Sequence, residues 1–229
     1  MIRDISAGML ERLSNVSVPN LADAMDHQNI ECRWLSKNFE SLNGHRFSGL
    51  ADTVEWGPTR KGKDLNLKGP STWQEVGRFV DKIEKNRMPT VYVAGSKHSS
   101  EDFVLAGGLT VTYLNKNGYV GAVLNGAFRD LEEVKSLDFP VWYRNKGIMD
   151  SQGCMKVIRR GTSCTVNGFT VFQGDIISGD VNGVIAIDPD SLEAIVCSAE
   201  EISEKESVTL KRIREGSNLF DLIEGGGHI

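Results

Sequence analysis

One stretch, Gly118 to Asp138, constrains this chain more than any other: Gly-Tyr-Val-Gly-Ala-Val-Leu-Asn-Gly-Ala-Phe-Arg-Asp-Leu-Glu-Glu-Val-Lys-Ser-Leu-Asp. Its apolar run from Val120 to Leu124 has the length and content of a buried strand. Asn125-Gly126 is a residue pair that makes tight turns. A helix is predicted from near Asp130, where Asp130-Leu131-Glu132-Glu133 resembles a capping box. A buried strand handing over to a helix calls for an α/β fold, and such junctions are where these folds meet ligands. Arg129 and Asp130 stand side by side at this one.

The rest of the chain supports a layered fold. Ile5–Leu13 and Ser17–Met25 read as short helices, the second with Ser17 as N-cap and Pro19 in its first turn. Arg46–Trp56 and Thr90–Ala94 have strand character. Trp73, Val76, Phe79, Val80 and Ile83 predict an amphipathic helix over Thr72–Lys85. A further helix is predicted over Phe103–Asn115, opening near Gly107-Gly108 and closed by Asn117-Gly118. Val141–Tyr143 is a strand, and short strands and turns follow to Ile187, with Asn167-Gly168 as a hairpin signal. Ser191–Arg214 reads as a long polar helix or a pair of helices, and Gly225-Gly226-Gly227 as a frayed end. Helices mixed with more than one sheet imply three layers. The expected division is one α/β domain over residues 1–195 with a helical extension, 196–229, packed on it.

Composition excludes several classes. With 229 residues and a formal charge of -5, the chain has no global basic field for nucleic acid. It has no apolar run long enough to span a membrane, and Met1–Ile5 lacks the apolar core expected of a secretion signal. Cys32, Cys154, Cys164 and Cys197 form no CxxC pair, and His27, His45, His98 and His228 sit at no zinc-ligand spacing. Free thiols in a reducing cytoplasm are expected.

Several separated motifs, in order, resemble the RraA-like family, which includes the class II 4-hydroxy-4-methyl-2-oxoglutarate aldolases. They are Leu13-Ser14 to Ala24, Gly107-Gly108-Leu109, Gly121 to Asp130, Asp150-Ser151-Gln152-Gly153, and Gly174-Asp175 with Gly179 to Val184. The resemblance covers about residues 12–190. It implies a three-layer β/β/α sandwich of the swivelling-domain kind, and a homotrimer or hexamer with active sites near subunit interfaces. It also implies a divalent cation, Mg²⁺ or Mn²⁺, held by Asp130, a 2-keto acid bound by Arg129, and substrate contacts from Gly107, Gly108, Leu109 and Thr110.

The residue types suit that chemistry. Cleaving a carbon–carbon bond beside a 2-keto acid leaves an enolate, which a Lewis acid stabilises. Mg²⁺ binds through as few as one carboxylate. An arginine fork matches a carboxylate, and a glycine-led helix start presents N–H groups to an anion. Two departures stand out. The aldolases carry an acid where this chain has Gly108, and the proton-handling group would have to come from elsewhere, with His98, Glu101 and Asp102 as nearby candidates. Arg60–Lys68 forms a basic loop that would favour a more anionic substrate if it folded over the site. The expected activity is therefore a metal-dependent lyase, by retro-aldol cleavage or decarboxylation. The alternative is a non-catalytic binding protein of the ribonuclease-inhibitor type.

Overall fold

A computed structural model describes residues 5–59, 77–81, 83, 88–98 and 100–224. Two helices open it, α1 (Ala7–Asn15) and α2 (Val18–His27). The hydroxyls of Ser6 and Ser17 accept from the amides of Met9 and Asn20, satisfying donors that a helix start leaves without partners. Strands β1 (Arg33–Trp34), β2 (Glu40–Ser41), β3 (Phe47–Pro58), β4 (Thr90–Ser96) and β5 (Phe103–Ala106) lead to α3 (Gly108–Lys116). Then come β6 (Tyr119–Phe128), the short α4 (Leu131–Lys135), β7 (Val141–Lys146), β8 (Met149–Asp150) and β9 (Met155–Arg160). The chain continues through β10 (Ser163–Val166), β11 (Phe169–Phe172), β12 (Ile176–Asp180) and β13 (Gly183–Ile187) into α5 (Leu192–Arg214) and α6 (Leu219–Glu224).

One eleven-stranded sheet runs β1-β13-β12-β3-β4-β6-β5-β8, with β7 on β6, β2 on β7 and β9 on β3. Strands β3, β4, β6 and β7 are parallel neighbours. Both faces are buried, and the alternation of side chains sorts them. Val91, Val93 and Val123 pack with Cys164, Val166 and Val171 of the separate β10–β11 hairpin. Tyr92, Ala94, Ala122 and Leu124 point the other way, towards Val111 and Leu114 of α3 and Val134 of α4. On that same side α1, α2 and α5 cover Ile176, Ile185 and Ile187. Each buried valine, leucine or isoleucine contributes roughly 1.5–3 kcal/mol by leaving water. The layers are hairpin, sheet and helices, a β/β/α sandwich.

The β10–β11 hairpin turns at Asn167-Gly168, with φ of 50° and 87°, as an Asn-Gly pair between strands predicts. The long polar segment is a single helix, and the line expected at 195/196 falls inside it. Its first half buries Ile195, Val196, Ala199 and Ile202 against α2.

Two expectations need correction. Asn125-Gly126 is not a turn, because β6 runs straight through it. On one edge β6 pairs with β4 up to Leu124 and with β5 from Ala127, and the pair bridges the changeover. Opposite β7 the register shifts between Leu124 and Ala127, a bulge. The Asn125 amide is buried and donates to the carbonyls of Ser96 and Thr165, tying β6 to β4 and to the hairpin. The helix expected from Phe103 starts five residues later. Phe103–Ala106 instead fills the space beside the end of β6, where a free strand edge needs partners. Most of Thr72–Lys85 lies outside the described residues, as do Arg60–Lys68 and Gly225–Gly227. Within it, Gly77–Phe79 forms a 3₁₀ turn, and Phe79 stacks obliquely on Trp56. Among the described residues no helix is long and apolar enough to cross a membrane. All four cysteines are free thiols.

Candidate functional site

Strands β5 and β6 lie parallel, with Ala106 opposite Phe128. Whatever follows each strand is therefore held side by side, which is why Gly107-Gly108 meets Arg129-Asp130 across 22 residues of chain. Asp130 stands at the N-cap of α4 with left-handed backbone, φ 64° and ψ 36°. Among side-chain-bearing residues, Asp and Asn adopt that conformation most readily. Its carboxylate makes no capping bond to α4. Instead Oδ2 accepts the N–H of Gly108, the first residue of α3, at 2.9 Å. A carboxylate at a helix N-terminus gains from the charge-assisted bond and from the helix dipole. The approach depends on bare backbone. A Cβ on Gly107 would fall 2.7 Å from Asp130 Oδ2, and one on Gly108 3.1 Å from Asp130 Cβ.

Arg129 Nε lies 3.8 Å from Asp130 Oδ2, with the two side chains 40% and 39% exposed. A pair that open is worth about 0–1 kcal/mol, so it does not lock the guanidinium. Among the described residues Arg129 makes no side-chain hydrogen bond, which leaves its fork available to a carboxylate. The amides of Leu109 and Thr110, second and third in α3, have no carbonyl one turn back to bond. Thus the anion seat expected over Gly107–Thr110 is already half used, since Gly108 serves Asp130.

These groups open on a cleft of about 490 Å³. Gly107, Leu109, Thr110, Arg129 and Asp130 line its polar side, Trp56, Phe79, Val80 and Tyr113 its apolar side, and Asp150, Ser151 and Gln152 another stretch of wall. Gly108 is buried behind the wall. Tyr113 is four residues beyond Leu109, hence on the same helix face, a signal present in the sequence. Trp56 carried no such signal, since a long strand from far upstream delivers it. The candidates for the missing acid are elsewhere: His98 and Glu101 line a separate polar hollow of about 250 Å³, where Arg144 holds Glu101 at 2.9 Å. Asp102 is exposed in the turn before β5.

The donor set can be tested against a cation. Among the described residues no three His, Cys, Asp or Glu side chains gather as a chelating group. That is too few for zinc, which takes three or four protein ligands. It fits Mg²⁺ or Mn²⁺ used in the manner of Mg²⁺, which keeps its waters and takes one or two carboxylates. Asp130 has Oδ1 without a partner among the described residues. Asp150, also in the wall, accepts the Gln152 backbone N–H on Oδ1 at 3.2 Å.

A family model, RraA-like (Aldolase/RraA), matches residues 18–186. The chain belongs to the RraA-like family. It is 30% identical over 228 residues to an uncharacterised protein of Methanocaldococcus jannaschii, covering 97% of both chains. It is 29% identical over 218 residues to the Legionella pneumophila protein DlpA, covering 94% of this chain and 33% of DlpA, so it spans about a third of that relative. Among solved structures it resembles RraAS2 of Streptomyces coelicolor, an unusual member of the RNase ES inhibitor RraA family. The TM-score is 0.72 at 21% identity, over 90% of this chain and 96% of that one. The family model spans both aldolases and RraA proteins, and the chain described here shares the RraA fold.

Proposed function

We propose that the protein is a divalent-cation-dependent carbon–carbon lyase acting on a small 2-keto acid, by retro-aldol cleavage or decarboxylation, with pyruvate or a related acid as product. The observation that carries this reading is the meeting of Arg129, Asp130 and the open amides of α3 in one cleft. Arg129 binds the substrate carboxylate through its fork. The amides of Leu109 and Thr110 hold an oxygen that gains charge as the bond breaks. Asp130, oriented by the Gly108 N–H, would hold the cation, with Asp150 as the second carboxylate within the cleft. Bound there, Mg²⁺ or Mn²⁺ would supply Lewis-acid stabilisation of the enolate charge. Trp56, Phe79, Val80 and Tyr113 keep water from the reacting bond and favour a substrate with an apolar portion.

Leu109, Ile148 and Met149 are large apolar side chains left 89%, 87% and 56% exposed in or beside this wall. They support a homotrimer or hexamer in which a neighbouring copy completes the cleft. A binding or inhibitory role is the second reading, favoured by the glycine at 108 and by the likeness to RraAS2 of the RNase ES inhibitor family. The test is a panel of 2-keto acids assayed with Mg²⁺ for pyruvate release through a coupled reductase. EDTA and Asp130→Asn should each abolish release. Turnover that survives both sinks the lyase reading, and a lysate partner retained equally by the variant points to the inhibitory one.

A further inference from the structure

The polar hollow of about 250 Å³ opens where the β10–β11 hairpin meets the sheet, at the changeover of β6 from β4 to β5. Strands β4, β6 and β7 run parallel. The hollow takes Lys97 from just past the end of β4, Asn125 from β6 and Arg144 from β7. Parallel sheets meet ligands outside the carboxyl ends of their strands. Asn125 is the residue that points to one here. It is only 8% exposed, and its Nδ2 donates to the carbonyls of Ser96 and Thr165 at 3.1 and 3.3 Å. Two carbonyls can face only the –NH₂ end of an amide, which fixes Oδ1 on the other side. Oδ1 meets no donor among the described residues, yet it is not sealed from solvent as the indole N–H of Trp142 is. The hollow that Asn125 lines is its outlet. An acceptor so nearly buried loses about 1–3 kcal/mol unless something donates to it.

The rest of the wall supplies donors. Arg144 gives Nε to Glu101 at 2.9 Å and Nη1 to Asn167 Oδ1 at 3.1 Å, and its guanidinium lies over the Phe39 ring. Those contacts fix the fork while Nη2 keeps no partner among the described residues. The side chains of Lys97 and His98 have none there either, and an imidazole always carries an N–H. The carboxylates nearby are already met, Glu101 by Arg144 and Glu55 by the amides of Lys97 and Thr165 and by Arg159 at 3.9 Å. The charge of Lys97 is left over.

We infer that this hollow binds a small oxyanion that carries its own hydroxyl, hydrogen phosphate or a 2-hydroxy carboxylate. Lys97, His98 and Nη2 of Arg144 donate to the anionic oxygens, and the ligand hydroxyl donates to Asn125 Oδ1. At roughly 30 Å³ per water the space holds about eight waters, enough for such an ion and too little for a nucleotide. Neither Arg129 nor Asp130 takes part, so the site stands apart from the lyase reading.

Calorimetric titrations of the full chain, at neutral pH and fixed ionic strength, pair each ion with one that lacks the hydroxyl proton: phosphate with sulfate, and lactate with propionate. Phosphate or lactate should bind about tenfold or more tighter than its counterpart, the scale of one buried acceptor left unmatched, and the pair that discriminates names the ion. Lys97→Gln with His98→Gln, both exposed positions, should weaken that binding by about tenfold. Arg129→Gln should leave it unchanged, because Arg129 lines the other cleft. The inference is overturned if no ion binds, or if both members of each pair bind equally, as they would to charge alone. It is overturned too if binding survives the double variant or disappears with Arg129→Gln.

Discussion

Replacing Asp52 by alanine is expected to cost the fold about 3–5 kcal/mol, the penalty for stranding a buried charge. The Asp52 carboxylate on β3 accepts Nη1 and Nη2 of Arg160 at 2.5 and 2.6 Å, and the Tyr119 hydroxyl at 2.5 Å. The Arg160 side chain is only 6% exposed and lies over the Tyr92 ring. Burial works against its charge, but the bonds to Asp52 outweigh that and hold its proton more tightly than usual. Without Asp52 the guanidinium keeps, among the described residues, only the carbonyls of Thr53 and Asp81. For a chain of this size each kcal/mol moves the melting point by roughly 2–4 °C, so Asp52→Ala should melt on the order of 10 °C lower in a calorimeter. Protein concentration must be fixed, since association shifts the midpoint. The pair Asp52→Leu with Arg160→Met should be more stable than either single variant, because neither leaves an unpaired charge. Arg160 also holds the carbonyl of Asp81, just past Phe79 and Val80 in the cleft wall, so KM should rise more than kcat falls. A variant melting within about 2 °C of wild type, under the expected shift, or a double variant as unstable as the singles summed, refutes the reasoning.

Two further outcomes are expected. Gly126→Ala would bring a Cβ to 2.6 Å from Leu105 Cγ and 2.9 Å from the Ser100 carbonyl, so its urea midpoint should drop by the equivalent of about 1–3 kcal/mol. An unchanged midpoint would show that β5 yields freely. Stability should also fall in alkali. Burial raises the Cys164 thiol well above its ordinary 9.0, and burial with Glu40 pushes the Tyr143 phenol from 10.0 to about 12. The folded chain keeps protons that the unfolded chain releases, so stability is full below about pH 9 and declines as pH rises towards 12. Urea midpoints between pH 8 and 11 check this, and Cys164→Ala should remove the earliest part of the decline.

The layers were legible because periodicity reports burial: Val91 and Val93 against Tyr92 and Ala94 is a two-faced strand on sight. The Ser17 cap and the Asn167-Gly168 turn were legible because their chemistry is local. Asn125-Gly126 has the same local chemistry as Asn167-Gly168, yet it lies inside a strand. What decides it is the exchange of β4 for β5 as partner, a fact about residues 20 to 30 positions upstream. Phe103–Ala106 failed likewise, as an apolar run beside glycines serves a helix or an edge strand until its neighbour is known. Arg129 and Asp130 stood out at a strand end, but the bond from the Gly108 N–H to Asp130 shows only once β5 and β6 lie side by side.

The left-handed backbone at Asp130 narrows the routes by which descendants of this protein could lose the site. Most replacements at φ 64° would strain the loop and disturb the start of α4, a fold defect that selection would remove. Asparagine and glycine keep the conformation, and asparagine is a single base change from aspartate. A lineage turning from turnover to binding would therefore pass most easily through asparagine at 130, with the scaffold untouched. On the cation-holding role proposed for Asp130, that one position should sort catalysts from binders across sequences sooner than any comparison of folds.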